Sequence, residues 1–404
     1  MSRQAPEPQL PLAGVRVIAV EQYGAGPFGT MLLGDLGADV IKIENPTDGG
    51  DVGRAVGPFY FEEGNSQFFQ AFNRNKRSLT LNLKTGAGRE VLEALVAKSD
   101  ALVGNLRGDQ PERLRLTYDQ LKDVNPRIVC AHLSAYGREG ERKGWPGYDY
   151  LMQAEAGYLS LTGEPDGPPT RFGLSIVDMM TGVMTGFALV SALVGARATG
   201  RGRDVDVSLF DVALHNLSYL AAWYLNGGYL QGREPRSAHP SLTPSQLYRT
   251  RDGWIFVMCN KEKFWPLFCE KIGRSELAGD PRFHDFKARL ANREELTELL
   301  DQTFEAHDTK DWTKRLSGTV PVAPVLDVAE ALENAFAREQ GRVVSFEPRD
   351  GSNPVEMLAG PIRLSDMDLP TRAGPRLGED NEEILSELGY SFEGIARLRG
   401  DGVI

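Results

Sequence analysis

The first forty residues constrain the fold more than any other part of the chain. Gly14-Val-Arg-Val-Ile-Ala-Val20 is β-branched and apolar, and a glycine-rich break follows at Gly24, Gly26 and Gly29. Phe28–Leu36 then has helical character and stops at Gly37, after which Ala38-Asp-Val-Ile-Lys-Ile43 is a second apolar strand. A strand, a tight turn, a helix and a strand in that order predict two parallel strands joined by a crossover helix. The rhythm repeats. Strands are expected at 78–83, 101–103, 128–133 and 205–209. Helices are expected at 86–97, 113–121, 178–195 and 211–225. The chain therefore reads as α/β with a parallel sheet.

At 404 residues the chain exceeds one comfortable core, so a second domain is expected. The pattern changes after Asn226-Gly-Gly228. Residues 246–249 and 254–259 flank Arg251-Asp-Gly253, a hairpin signature, and amphipathic helices follow at 261–272, 292–307 and 310–316. This predicts a large domain from 1–225, a linker at 226–239, and a smaller α+β domain at 240–330. Residues 331–404 are expected to return to the large domain, ending in a helix near 382–388.

Composition excludes several function classes. Lys+Arg number 45 against 56 Asp+Glu, a net charge of −11, and a nucleic-acid platform needs a basic face instead. The three cysteines, Cys130, Cys259 and Cys269, form no metal-ligand spacing with the histidines, so no metal is expected, and they suit a reducing cytoplasm. Met1–Pro11 lacks the apolar core of a signal peptide. The apolar run at 183–194 is too short to cross a bilayer. A soluble cytoplasmic protein is expected.

Three polar clusters are candidate sites. Gly24-Ala-Gly-Pro-Phe-Gly29 lies between a strand and a helix, where backbone N–H groups can hold phosphate; the alternative is a tight connection, and Pro27 departs from the dinucleotide fingerprint. Asn73-Arg-Asn-Lys-Arg-Ser78 is either an anion cradle or a solvated basic loop. Asn105-Leu-Arg107 leads on to Arg113 and Arg115. All three sit at strand ends, and open parallel sheets bind ligands at their carboxyl edge. Asp178 and Asp149 each precede an apolar helix. Such a carboxylate is most simply an N-cap, and the helix N-terminus would equally suit an ionised nucleophile. The five histidines assemble neither a Ser–His pair nor a metal cluster.

These residues, taken in order, resemble the family III CoA-transferases, the CaiB/BaiF or formyl-CoA transferase-like family. The resemblance rests on Leu12–Val17, Ala25-Gly-Pro27, Leu36–Glu44, Asn73–Ser78, Gly147-Tyr-Asp149, Thr162-Gly163, Asp178-Met-Met-Thr-Gly182, Thr199–Gly202, Leu377-Gly378 and Glu382–Leu385. It implies a Rossmann-like domain built from both termini, an inserted smaller domain, and an interlocked homodimer. It further implies that Asp178 attacks an acyl-CoA donor, such as succinyl-CoA, so that CoA passes to a small carboxylic acid through an aspartyl anhydride and thioester. Asp149 would orient the substrate or support Asp178. CoA-contacting positions carry over onto Gln22, Tyr23, Gly24, Ala25, Leu81, Leu83, Lys84, Asn105, Leu106 and Arg113. CoA enters as substrate, with no tightly bound cofactor. Asn45 stands where some relatives have an arginine, and the glycine-rich lid of the formyl-CoA transferases is missing, which argues against oxalate or formate. Within the family the rival is an α-methylacyl-CoA racemase; such relatives usually read Gly-His-Asp where this chain has Gly147-Tyr-Asp149, and they need a histidine upstream, whereas the first histidine here is His132, already inside the preceding strand. From another class the rival is a CoA-binding protein without turnover, with Asp178 only a cap. The acyl pocket is expected to draw on the partner chain's smaller domain around His239 and Tyr248.

Overall fold

The computed structural model describes residues 9–348, 351 and 353–404. The chain divides into two compact units, one of Met1–Ala156, Gly173–Leu217 and Glu339–Ile404, the other of Gly157–Phe172 and Ser218–Arg338. The second unit thus takes in 157–172 and 218–225, which the sequence pattern assigned to the large domain. The boundary at 217–218 is where the single helix expected over 211–225 breaks in two: Leu209–Asn216 and Ser218–Gly227 are separate helices, and Ser218, which opens the second, has φ 47°.

Six strands form the sheet of the first unit: β1 (Arg16–Val20), β2 (Asp39–Glu44), β3 (Lys76–Thr80), β4 (Ala101–Gly104), β5 (Val129–Ser134) and β6 (Arg203–Ser208). Their order is β3-β2-β1-β4-β5-β6, and every pairing is parallel. This is the doubly wound order, whose direction reverses between β1 and β4. Strand residues alternate between two cores. Ile18, Ile41, Leu79, Leu102 and Cys130 face one, with Ile384, Leu385, Ile395 and Leu398 from the C-terminal helices 381–387 and 392–400. Val17, Ala19, Val40, Val103, Val129 and Ala131 face the other. Coverage of both faces explains why the strands read as continuous apolar runs.

The second face is covered by α1 (Ala25–Asp35) and α4 (Ile176–Thr199), with α2 (Gly86–Val96) on the first face and the short α3 (Asp149–Glu155) preceding α4. Helix α4 is longer than the sequence pattern predicts and, by length and composition alone, would suit a membrane span. Here Leu189, Ala192, Leu193 and Ala196 are packed in the sheet core. The helices α1 and α4 meet backbone to backbone. A Cβ on Gly29 would lie 2.5 Å from the Gly182 carbonyl oxygen, and one on Gly182 would lie 2.5 Å from that of Ala25. Only glycine permits this approach.

The second unit holds a three-stranded antiparallel sheet of β7 (Ser245–Arg249), β8 (Trp254–Met258) and β9 (Val322–Pro324), with β8 in the middle. Tyr248, Ile255, Val257, Phe268, Phe304 and Trp312 form its core. Tyr248 is fully buried and stacks on Phe304, so it cannot line an acyl pocket as expected. The expected helix at 113–121 is two single turns, 110–113 and 118–121, separated at Arg115 with φ 55°.

Candidate active site

The carboxyl ends of β1 and β4 are tied together. Asn105, just after β4, accepts a hydrogen bond from the Gln22 N–H at 2.9 Å and donates one to the Gln22 carbonyl at 2.6 Å. The glycine turn following β1 is therefore fixed at the point where the sheet order reverses, and a cleft of about 330 Å³ opens there. Gln22, Tyr23, Gly24, Ala25, Asn105, Leu106, Arg107, Trp145, Tyr148 and Asp178 line it. A second cleft of about 250 Å³ shares Gln22 and Leu106 with the first and is walled by Leu81, Asn82, Leu83, Lys84, Asn45 and Asp48.

Nine of the ten carried-over CoA positions thus line one of two adjoining clefts. Arg113 lines neither. It pairs with Asp109 at 3.1 Å and its side chain is 69% exposed. The side chain of Lys84 enters no ion pair among the described residues. Asn45 is held by Asp48 at 2.8 Å.

The packing of α1 on α4 places Asp178 against the glycine turn, one helical turn before Gly182. A Cβ on Gly24 would lie 3.0 Å from Asp178 Oδ2. Asp178 is only 8% exposed, yet it lines the first cleft. It is not the N-cap. Ser175 occupies that position and Asp178 lies within the first turn, its carboxylate accepting no hydrogen bond among the described residues. The capping acceptor is Asp149. Asp149 Oδ2 takes the backbone N–H of Asp178 at 2.9 Å, and its Oδ1 takes the Gln153 amide at 2.5 Å. The cap expected of Asp178 is thus supplied by the other carboxylate, which is 3% exposed and off the cleft wall. Burial pushes the Asp178 carboxyl up to about 7, and the Asp149 carboxylate adds to the rise. Among the described residues no donor offsets the lost hydration.

The block Asn73–Ser78 is neither the anion cradle nor the solvated loop expected of it. As expected it leads into a strand, β3, which takes in Lys76, Arg77 and Ser78, but its cations are buried. Arg74 pairs with Asp35 at 2.6 Å, Lys76 with Glu21 at 2.8 Å, and Arg77 with Asp39 at 2.6 Å and Glu387 at 2.7 Å. Lys42 and Asp51, which the sequence pattern does not single out, belong to the same layer, 2.7 Å apart and both fully buried. Periodicity hides them, because Lys42 sits in an apolar strand where its charge looks incidental.

Among the described residues of the first unit, no histidine lines the cleft. His132, the first histidine of the chain, is 2% exposed, with Nε2 2.8 Å from Asp204, and Tyr148, where racemase relatives read histidine, is 61% exposed. His239, in the second unit, is half-buried, its Nδ1 accepting from the N–H groups of Ser241 and Leu242 at 3.1 Å. No group of three or more His, Cys, Asp or Glu side chains is placed to hold a metal among the described residues.

The family model for CoA-transferase family III matches residues 12–381. The succinate–glutarate CoA-transferase of Agrobacterium fabrum is 31% identical over 95% of this chain and 97% of its own. The acetyl-CoA:oxalate CoA-transferase of Acetobacter aceti is 34% identical over 95% of this chain and 97% of its own. A crystal structure of a CaiB/BaiF family protein from Brucella suis superposes with a TM-score of 0.83 at 34% identity, covering 94% of this chain and all of that one.

Proposed function

The chain belongs to the family III CoA-transferases, and from that premise we propose that Asp178 is the nucleophile that carries CoA from an acyl-CoA donor to a small carboxylic acid. The observation that carries this reading is the position of Asp178: a carboxylate that accepts no hydrogen bond among the described residues, largely buried, on the wall of a cleft at the switch point of the sheet.

The steps balance without an oxidant or reductant. An Asp178 carboxylate oxygen attacks the thioester carbonyl, the C–S bond breaks, and CoA thiolate leaves an acyl–aspartyl anhydride. The thiolate then attacks the Asp178 carbonyl and expels the donor carboxylate, leaving an aspartyl thioester. The acceptor carboxylate repeats the sequence in reverse and regenerates Asp178. An anhydride retains acyl-transfer energy that a serine ester would lose, so the carboxylate is the suitable nucleophile. Each addition makes an oxyanion, and the N–H groups of Ala25 and Gly26, which open α1 without a capping side chain, are the donors we assign to it. Asp149 positions the first turn of α4. The first cleft takes the thioester arm, and the second takes the nucleotide end, with Lys84 beside its phosphates.

The donor is proposed to be succinyl-CoA and the acceptor a dicarboxylic acid. The oxalate named for the Acetobacter relative weakens the argument made from the missing lid, so oxalate belongs among the acceptors tested. The working form is proposed to be an interlocked cytoplasmic homodimer. Phe187 and Val194 on α4, 69% and 66% exposed, are apolar positions that a second copy would cover, and light scattering tests this directly.

Mass spectrometry after brief mixing with succinyl-CoA should find an acyl or CoA adduct on the peptide containing Asp178, absent in Asp178→Ala. An unmodified wild-type peptide under turnover conditions overturns the assignment. Chromatography of a panel of dicarboxylates against succinyl-CoA and acetyl-CoA then identifies the acids.

A further inference from the structure

Beneath the glycine turn lies a pair of ions that the reaction scheme does not use. Lys42 Nζ and Asp51 Oδ2 are 2.7 Å apart, and neither side chain reaches solvent. Burying two ions is costly unless their remaining valences are satisfied, and here those valences go to backbone. Lys42 Nζ donates to the Glu21 carbonyl at 3.0 Å, and Asp51 Oδ1 accepts from the Tyr23 N–H at 2.8 Å and the Gly53 N–H at 2.7 Å. With the two Asn105 bonds to Gln22, residues 21–23 are held at four backbone atoms.

What this clamp holds is unusual. Tyr23 has φ 70°, a left-handed conformation that an aromatic residue adopts only when its surroundings impose it. Its ring packs 5.0 Å from Phe68 and 6.2 Å from Tyr148 on the cleft wall. The next residue is Gly24, against Asp178 Oδ2. A relaxed Tyr23 would turn the chain at the point where it meets the carboxylate.

We propose that the Lys42–Asp51 pair is a positioning device for the reaction: it imposes the left-handed conformation of Tyr23 and so sets the glycine turn against Asp178. This rests on the reading of Asp178 as nucleophile. The pair touches no substrate and acts through the backbone of residues 21 and 23.

The test is a variant set read by the single-turnover rate of adduct formation on Asp178 together with steady-state kcat and KM. Asp51→Ala should slow adduct formation and kcat by ten-fold or more while KM moves less than three-fold. Because it leaves Lys42 with only the more distant Glu21 carboxylate, 4.0 Å away, Lys42→Met/Asp51→Ala, which removes both ions of the pair, is the companion variant and should show the same loss. The decisive arm adds Tyr23→Gly. Glycine adopts the required φ freely, so in the Lys42→Met/Asp51→Ala background it should raise the rate several-fold. In the wild type, where only the ring is lost, it should lower the rate. An equal loss from Tyr23→Gly in both backgrounds overturns the proposal, as does an unchanged kcat in the charge-free variant. A wild-type enzyme that forms no adduct overturns the reading of Asp178 and the clamp with it, whereas an adduct with uncoupled variants removes the clamp alone.

Discussion

Replacing Asp178 by asparagine removes a carboxyl whose protonation differs between the folded and unfolded chain. Its ordinary value is 3.8 and the folded site raises it to about 7, burial being the larger cause and Asp149 the smaller. A raised carboxyl holds its proton longer in the folded state, so the unfolded chain ionises first as pH rises. Stability is therefore highest below pH 4 with respect to this group, and it is lost progressively between about pH 4 and pH 7. A rise of that size corresponds to about 4 kcal/mol once both states are ionised. Part of that is already lost at pH 5, leaving roughly 2.5 kcal/mol to disappear between pH 5 and pH 8. Asparagine carries no such penalty, and the backbone N–H of residue 178 can still reach Asp149. Asp178→Asn should therefore gain in Tm over the wild type as pH rises, by about 3–5 °C between pH 5 and pH 8 for a chain of this size. Scanning calorimetry at constant ionic strength measures this directly. A Tm difference that stays flat across that range would refute the argument, because a carboxyl ionising near its ordinary value contributes nothing there. The rate of adduct formation in the wild type should rise with pH through the same midpoint near 7, since only the ionised oxygen attacks.

Asp149→Asn should lower that midpoint, because a neighbouring negative charge is gone while burial remains; the pH profile of adduct formation reads the change, and an unmoved midpoint would deny the coupling. Asn105→Ala deletes both bonds to the Gln22 backbone and should cost about 2 kcal/mol of transition-state binding, seen as roughly a thirty-fold fall in kcat/KM. Gly182→Ala forces a methyl group onto the Ala25 carbonyl and should destabilise the protein by about 1–3 kcal/mol in urea titration, with a loss of activity as α4 moves off α1.

The sheet was legible because its signals are local. Ile18 and Val17 face opposite cores, so β1 reads as an uninterrupted apolar run, and the Gly24–Gly29 break marks the turn whatever the rest of the chain does. The second unit's hairpin was legible from Arg251-Asp-Gly253 alone. Helix Gln67–Asn73 was missed because its apolar residues, Phe68, Phe69 and Phe72, lie beside the polar basic block and give no clean stop; its start is a Ser66 side chain that caps the Phe69 N–H at 2.9 Å. Helix 209–216 was over-extended because nothing in Leu217-Ser218 announces a left-handed residue.

The site was harder for a different reason. A carboxylate before an apolar helix has the same appearance whether it caps or reacts, and sequence pattern favours the cap. Three-dimensional placement takes the capping role from Asp178, because Asp149, 29 residues earlier in the chain, accepts the capping bond. A charge run likewise looks solvated until its partners are known. Those of Asn73–Ser78 include Glu21, Asp35, Asp39 and, from the far end of the chain, Glu387, acids that no window of the sequence connects. Buried ions must be paired or lose several kcal/mol each, so once the sheet brings β1, β2 and β3 together these pairings are forced. Their cations are then committed to these pairs, and on the proposed reading the anion the enzyme binds is met by exposed Lys84 and by the N–H groups that open α1.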